Sequence, residues 1–292
     1  MGVGMIGWWA VKFGQEAPLW TGSDDDRPPV GIDVSVAHSA RIYNWFLGGK
    51  DNFAADRAAG EASLAANPAL RTGPVQNRAF LGRAVRYLTA EAGIRQFLDI
   101  GTGIPTADNT HEVAQRVDPS ARVVYVDNDP IVLTHARALL TSDPAGATAI
   151  VAADLREPAV ILASQEVRTV LDLTEPVALM LVGVLHFVRD DEDPYGIVRT
   201  LLGALPPGSH LVLSHVTADL NPADIAAGQA AYHAAGLPFE PRTKAEFTRF
   251  FDGLELVEPG VTVACDWRSP APEHVRPAHG TVNTYTAVGR LA

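Results

Sequence analysis

Between residues 34 and 47 the apolar positions Val36, Ala37, Ile42, Trp45, Phe46 and Leu47 recur at helical spacing behind Ser35, a residue type that caps helix N-termini. Gly48-Gly49 ends this predicted helix, 35–47. Two further helices follow, over 54–66, closed by Asn67-Pro68, and over 74–92, closed by Gly93. The period then shortens. Apolar runs at 95–100, 122–127, 147–152, 177–182 and 209–214 read as strands covered on both faces, and helical segments lie between them at 106–117, 131–140, 158–164 and 195–204. Helices at 222–236 and 243–251 and strands at 254–258 and 285–290 complete the pattern. Strands alternating with helices at these lengths pair in parallel through right-handed crossovers, which predicts an α/β doubly wound, mostly parallel sheet. The chain divides on this reading into an extension (1–33), an N-terminal helical lid (34–94) and an α/β core (95–292).

Composition narrows the class. Hydrophobic residues make up 47% of the 292 positions and charged residues 20%, as in ordinary folded proteins. Acidic residues outnumber basic ones by 34 to 23, a net charge of −11 that repels nucleic acid, and no basic patch offsets it. The single cysteine, Cys265, excludes an intramolecular disulfide and any multi-cysteine metal cluster, which fits a reducing, cytoplasmic setting. His38, His111, His186 and His215 lack ligand spacing, so no metal is expected. Residues 1–13 are apolar but too short to span a bilayer, are broken by Lys12, and lack a basic leader and a cleavage site. No membrane partner is expected. Asp24, Asp25 and Asp26 beside Pro28 and Pro29 predict poor order in that extension.

The chemistry concentrates in Phe97-Leu98-Asp99-Ile100-Gly101-Thr102-Gly103-Ile104-Pro105-Thr106, which passes from strand to glycine loop to helix start. Glycines two apart let backbone N–H groups approach a ligand closely. In an open parallel sheet ligands bind beyond the carboxyl ends of the strands, so Asp99, Gly101, Thr102, Gly103, Asp127, Asn128, Asp154, Leu155, His186 and His215 are the residues to watch. Asp127, 26 positions after Gly101, is placed to accept from the hydroxyls of an adenosine ribose. That spacing suits both NAD and S-adenosylmethionine. A pyrophosphate requires G-x-G-x-x-G, and here Thr106 stands at the sixth position; Asp99 would repel a pyrophosphate and attract an ammonium or sulfonium. S-adenosylmethionine fits better, with Asp154 accepting from the adenine amino group and the Leu155 N–H reaching a ring nitrogen.

The chain resembles the class I S-adenosylmethionine-dependent methyltransferases: Asp99-Ile100-Gly101-Thr102-Gly103 is similar to their glycine motif, Asp127 to their ribose acid and Ala153-Asp154-Leu155 to their adenine segment. More closely it resembles a bacterial family known simply as S-adenosyl methyltransferase, first described as a domain of unknown function. Ser39-Ala40-Arg41-Ile42-Tyr43-Asn44, the run 47–57, Asp108-Asn109-Thr110-His111-Glu112 and Val126-Asp127-Asn128-Asp129-Pro130 carry that likeness. The resemblance implies a seven-stranded Rossmann-like sheet whose last strand, 285–290, runs antiparallel. It departs from the class at Pro105, where the third glycine would stand, which implies a stiffer loop exit.

Methyl transfer needs an aligned acceptor and, for a protonated acceptor, a base. His186, after the fourth strand, is the first candidate and His215 the second. Arg41, Tyr43, Asn44, Gly49 and Asn52 are candidates for a lid over cofactor and acceptor, with Gly48-Gly49 as its hinge. His111 and Glu112 read as packing or solvated residues. The lack of an N-P-P-Y-type motif after the fourth strand, with the net charge, argues against nucleic-acid amino methylation. The expectation is methyl transfer from S-adenosylmethionine to a small-molecule substrate, with oligomeric state open. The alternatives are a cofactor-binding regulator without turnover and an NAD-dependent oxidoreductase.

Overall fold

The computed structural model describes residues 33–66, 68–139 and 141–292, which fall in one compact unit, Ile32–Ala292. The extension expected over 1–33 lies outside the described residues apart from Asp33. The strands are β1 (Gln96–Ile100), β2 (Arg122–Asp127), β3 (Ala147–Ala152), β4 (Ala178–Val182), β5 (His210–Val216), β6 (Leu254–Leu256), β7 (Thr262–Val263) and β8 (Thr284–Leu291). The α-helices are α1 (Ser39–Phe46), α2 (Ala54–Ala66), α3 (Thr72–Ala90), α4 (Thr110–Gln115), α5 (Pro130–Leu139), α6 (Pro158–Ala163), α7 (Gln165–Val170), α8 (Pro194–Leu202), α9 (Pro222–Ala234), α10 (Lys244–Thr248) and α11 (His279–Val282). Proline opens α5, α6, α8 and α9, where its missing N–H would have no helical partner.

The sheet runs in the order β3-β2-β1-β4-β5-β8-β6, with β7 beside β8. β1 to β5 are parallel, and β8 runs antiparallel to β5 from His210↔Arg290 to Val216↔Thr284. The sheet therefore has eight strands rather than seven, because Thr262 and Val263 add a two-residue pairing to the far side of β8. The central strands β1, β2 and β4 are buried almost throughout, as helices on both faces require. Strand order reverses between β1 and β4, which opens a crevice at their carboxyl ends.

Several local expectations shift for identifiable reasons. The helix predicted over 106–117 forms only as α4, because Asp108 adopts φ +62° and the Asn109 N–H donates to Glu112 Oε2 at 3.0 Å, starting the helix there. α1 starts at Ser39, with His38 Nδ1 accepting from the Ala40 N–H, while Ser35 closes a turn on Asp33. The single helix expected at 158–164 is α6 followed by α7, since Ser164 is extended and caps the second.

The N-terminal helices do two different jobs. Phe80, Leu81, Ala84, Val85 and Leu88 of α3 are buried in the main core, so this helix packs with the sheet and is no part of a lid. Each of its large side chains contributes about 1.5–3 kcal/mol on leaving water. Ile42 and Phe46 of α1 instead join Ile225, Tyr232 and Phe239 in a second cluster, with Ala55, Ala59 and Leu64 of α2 against it. α1, α2 and α9 thus form a roof beside the carboxyl end of the sheet.

Candidate active site

The crevice holds a cavity lined by the glycine loop and by the residues that end β1, β2, β3 and β4. Gly101 adopts φ +75°, and a Cβ there would lie 2.4 Å from Val184, so only glycine fits this close crossing of β1 and the β4 exit. Gly103 adopts φ +67°, and its N–H donates to Asp127 Oδ2 at 2.9 Å. The Asp129 N–H donates to the other oxygen, Oδ1, also at 2.9 Å. Asp127 is thus fixed in orientation by two backbone donors, and each carboxylate oxygen keeps a second lone pair for a ligand. Burial raises its pKa against the effect of those two hydrogen bonds.

Asp99 also lines the cavity. Its Oδ2 accepts from Thr110 Oγ1 at 2.6 Å, and the Thr102 hydroxyl donates to its backbone carbonyl at 3.0 Å. Burial pushes the Asp99 pKa up to about 6; the Thr110 hydrogen bond and the Arg78 guanidinium lower it in part, and the nearby Asp127 charge adds to the rise. At the β3 end, Asp154 Oδ2 accepts from Asn128 Nδ2 at 2.9 Å, and its Oδ1 accepts from the Arg156 N–H at 2.9 Å and Nε at 3.0 Å. Burial would raise Asp154, but these donors and the Arg156 charge outweigh it and hold the carboxyl below its usual range. Leu155 is buried in the same wall. All eight residues expected to hold the cofactor therefore meet at one cavity.

The lid candidates separate. Tyr43 faces the cavity, accepting from Asn77 Nδ2 at 3.2 Å and donating to the Pro74 carbonyl at 3.0 Å. Arg41 does not: it is buried between Asp56 (3.4 Å) and Asp129 (3.7 Å), tying α1 to the loop after β2. Asn52 donates to Asn44 Oδ1 at 3.0 Å and to the Gly49 carbonyl at 2.9 Å, and a Cβ on Gly49 would strike Asn44 at 2.3 Å. Asn44, Gly49 and Asn52 are therefore the internal bonds of the α1–α2 turn rather than ligand contacts.

A second cavity of about 70 Å³ adjoins the first and shares Ser39, Tyr43, Asn77, Gly183 and Phe187 with it. His186 lies here and not in the first cavity, on the short turn Leu185–Phe187, with Nδ1 buried and without a partner among the described residues. Burial, then the His215 and Arg242 charges, hold its pKa well below the ordinary value. His215 lines the same cavity but has no free nitrogen: Nδ1 meets the Val216 carbonyl at 2.8 Å, and Arg242 donates to Nε2 at 2.8 Å. Burial and the Arg242 charge depress its pKa to about 3. This corrects its candidacy as a base, because the lone pair a base needs is already used.

The S-adenosyl methyltransferase family matches residues 25–292. A DUF574 family protein from Streptomyces avermitilis is 50% identical, with 89% of this chain and 99% of that one covered and a TM-score of 0.86. A candidate methyltransferase from Thermobifida fusca is 43% identical, covering 91% and 99%, with a TM-score of 0.83. No curated protein matches the chain. The chain belongs to the S-adenosyl methyltransferase family. Its cofactor is S-adenosylmethionine, and the NAD alternative is set aside. The cavity fits that group, since the Asp99 and Asp127 carboxylates keep unused lone pairs and suit an ammonium, a sulfonium and ribose hydroxyls.

Three cavity residues of this methyltransferase do not stand out as site residues in the sequence: His38, Asn77 and Arg78. Asn77 and Arg78 stand in α3 beside Gln76, Arg83 and Arg86, so their residue types do not single them out in the sequence. Arg78 donates to Asn109 Oδ1 at 3.0 Å and to the Ala107 carbonyl at 3.2 Å, and its Nε is buried without a partner among the described residues. No helix among the described residues is long and apolar enough to cross a membrane.

Proposed function

We propose that this cytoplasmic methyltransferase modifies a small organic molecule, held in the second cavity while the first holds the cofactor. The supporting observation is the shared wall of Tyr43, Asn77, Gly183 and Phe187, which sets the candidate acceptor chamber directly against the cofactor site. A regulator without turnover would be expected to close that chamber with side chains. The −11 charge disfavours a nucleic-acid strand as substrate, and the uncharged chamber lining offers nothing to an anionic membrane surface.

When bound, S-adenosylmethionine supplies an electrophilic methyl group on a sulfonium. Asp127, kept oriented by the Gly103 and Asp129 N–H groups, would accept from the ribose hydroxyls. Asp154, its carboxylate braced by Asn128, and the Leu155 backbone would recognise the adenine edge. Asp99 would pair with the ammonium, and Arg78, whose Nε is buried without a partner among the described residues, would take the carboxylate of the methionine portion. His186, kept neutral by burial, would accept a hydrogen bond from the acceptor at its unpartnered Nδ1 and so orient it.

Two measurements bear on this reading. Incubating the protein with methyl-labelled cofactor and a cell extract, then separating by size, is expected to place label in the small-molecule fraction; label confined to protein or nucleic acid would contradict it. The second uses pH. A cationic ligand favours the Asp99 carboxylate, so affinity for S-adenosylhomocysteine, which keeps the ammonium, should be full above about pH 7. It should weaken below pH 6, where Asp99 takes up its proton, at up to about tenfold per pH unit. Flat affinity from pH 5 to 7.5 would remove Asp99 from the ammonium contact.

A further inference from the structure

The chamber beside the cofactor site carries enough chemistry to define what enters it, given the methyltransferase reading above. Among the described residues, no Asp, Glu, Lys or Arg lines it. Its two histidines are both held neutral near pH 7, and burial raises the Tyr43 and Tyr232 hydroxyls further from ionisation. The Arg242 guanidinium behind His215 is already bound to His215, Asp190 and two backbone carbonyls, so an ion entering this space would lose its hydration with no free charge to pair with, which costs several kcal/mol.

Rings form much of the wall. Phe187 and Tyr232 stack with centroids 6.1 Å apart, Tyr232 and Phe239 lie at 4.8 Å, and His186 and Phe239 at 5.4 Å. Faces and edges so arranged favour a planar guest. The volume of about 70 Å³ limits the guest to no more than one small ring.

Against this apolar frame stand polar atoms that the protein leaves unsatisfied. Asn77 Oδ1, His186 Nδ1, Ser214 Oγ and Asn283 Oδ1 belong to lining residues, are buried, and have no hydrogen-bond partner among the described residues. Native proteins rarely leave buried polar groups unpaired, and four on the residues around one small cavity point to a hydrogen-bonding guest that small side-chain shifts would bring into reach. The two amide oxygens can only accept, so the guest must donate.

We propose that the methyl acceptor is a neutral, single-ring aromatic molecule bearing hydroxyl groups, seated on the Phe187, Tyr232 and Phe239 rings with its hydroxyls toward Asn77, His186 and Asn283. The ring supplies burial, the amide oxygens and His186 Nδ1 receive the hydroxyl hydrogens, and the uncharged lining excludes carboxylated relatives.

The test uses full-length protein saturated with S-adenosylhomocysteine and two matched pairs of probes: phenol with para-hydroxybenzoate, and catechol with protocatechuate. Calorimetry is expected to show the neutral member of each pair binding at least about tenfold tighter than its carboxylated partner. Gly228→Leu supplies the control. Gly228 lies in the middle of α9 and lines the chamber, and a Cβ added to it would meet no neighbouring atom within 4 Å, so a leucine there fills the space while favouring the helix. This variant should keep cofactor affinity within about twofold and lose phenol and catechol binding by about tenfold or more. Equal binding of charged and neutral members, no binding of either neutral probe, or unchanged binding in Gly228→Leu would each overturn the proposal. Failure of the wild-type protein to bind S-adenosylhomocysteine would overturn the underlying methyltransferase site instead.

Discussion

Arg242→Met is expected to lower the unfolding free energy by about 3–5 kcal/mol, toward the low end of what stranding three buried acceptors costs. Arg242 is 3% exposed and donates to the Leu185 carbonyl (3.0 Å), the Val188 carbonyl (3.0 Å), His215 Nε2 (2.8 Å) and Asp190 Oδ1 (2.7 Å). The Asp190 arm is exposed and adds little. The other three acceptors are buried, and stranding each costs about 1–3 kcal/mol. Arg242→Lys should recover little, because an ammonium cannot reproduce the fork that reaches both carbonyls and the imidazole. Urea denaturation reads the effect as a lower midpoint at constant slope. A loss under about 1 kcal/mol would mean that water replaces the guanidinium. The consequence extends to the acceptor chamber: these bonds hold the turn Leu185–Phe187, and with it His186 and Phe187, against β5.

Asp127→Ala is expected to weaken S-adenosylhomocysteine binding by about 1–3 kcal/mol, roughly fivefold to 150-fold. Two effects add. The ribose hydroxyls lose their acceptor, and the Gly103 and Asp129 N–H groups lose theirs, which loosens the loop at the place where it approaches the ligand. Asp127→Asn, which keeps one acceptor oxygen, should lose less. Thermal unfolding of both variants separates a local change from a global one, and affinity unchanged in Asp127→Ala would remove this residue from the site.

What is legible in the sequence follows from how local each cause is. β1, β2 and β4 announce themselves because burial on both faces demands unbroken apolar runs, and the glycine loop because Gly101 and Gly103 must take positive φ. Asp127 is found by spacing alone. Non-local causes stay hidden. β7 is two residues long and exists only through its partner β8, so no period marks it. The polar residues of 41–52 resemble ligand contacts, yet Asn44 and Asn52 serve the fold of their own turn and Arg41 ties α1 to α2 and to the loop after β2, and nothing in their types distinguishes the two uses. His215 has the position of a base until Arg242, distant in sequence, closes on its lone pair. The chamber itself joins α1, α3, α9 and the ends of β4 and β5, so its neutral, ring-walled character is a property of assembly.

Titration of the purified full chain with S-adenosylhomocysteine at about pH 7.5 is the most direct test of the cavity at the ends of β1, β2, β3 and β4. Binding of one molecule per chain, weakened in Asp127→Ala, is the predicted result. No heat of binding in the wild-type protein, or binding indifferent to Asp127, would contradict the placement of the cofactor there.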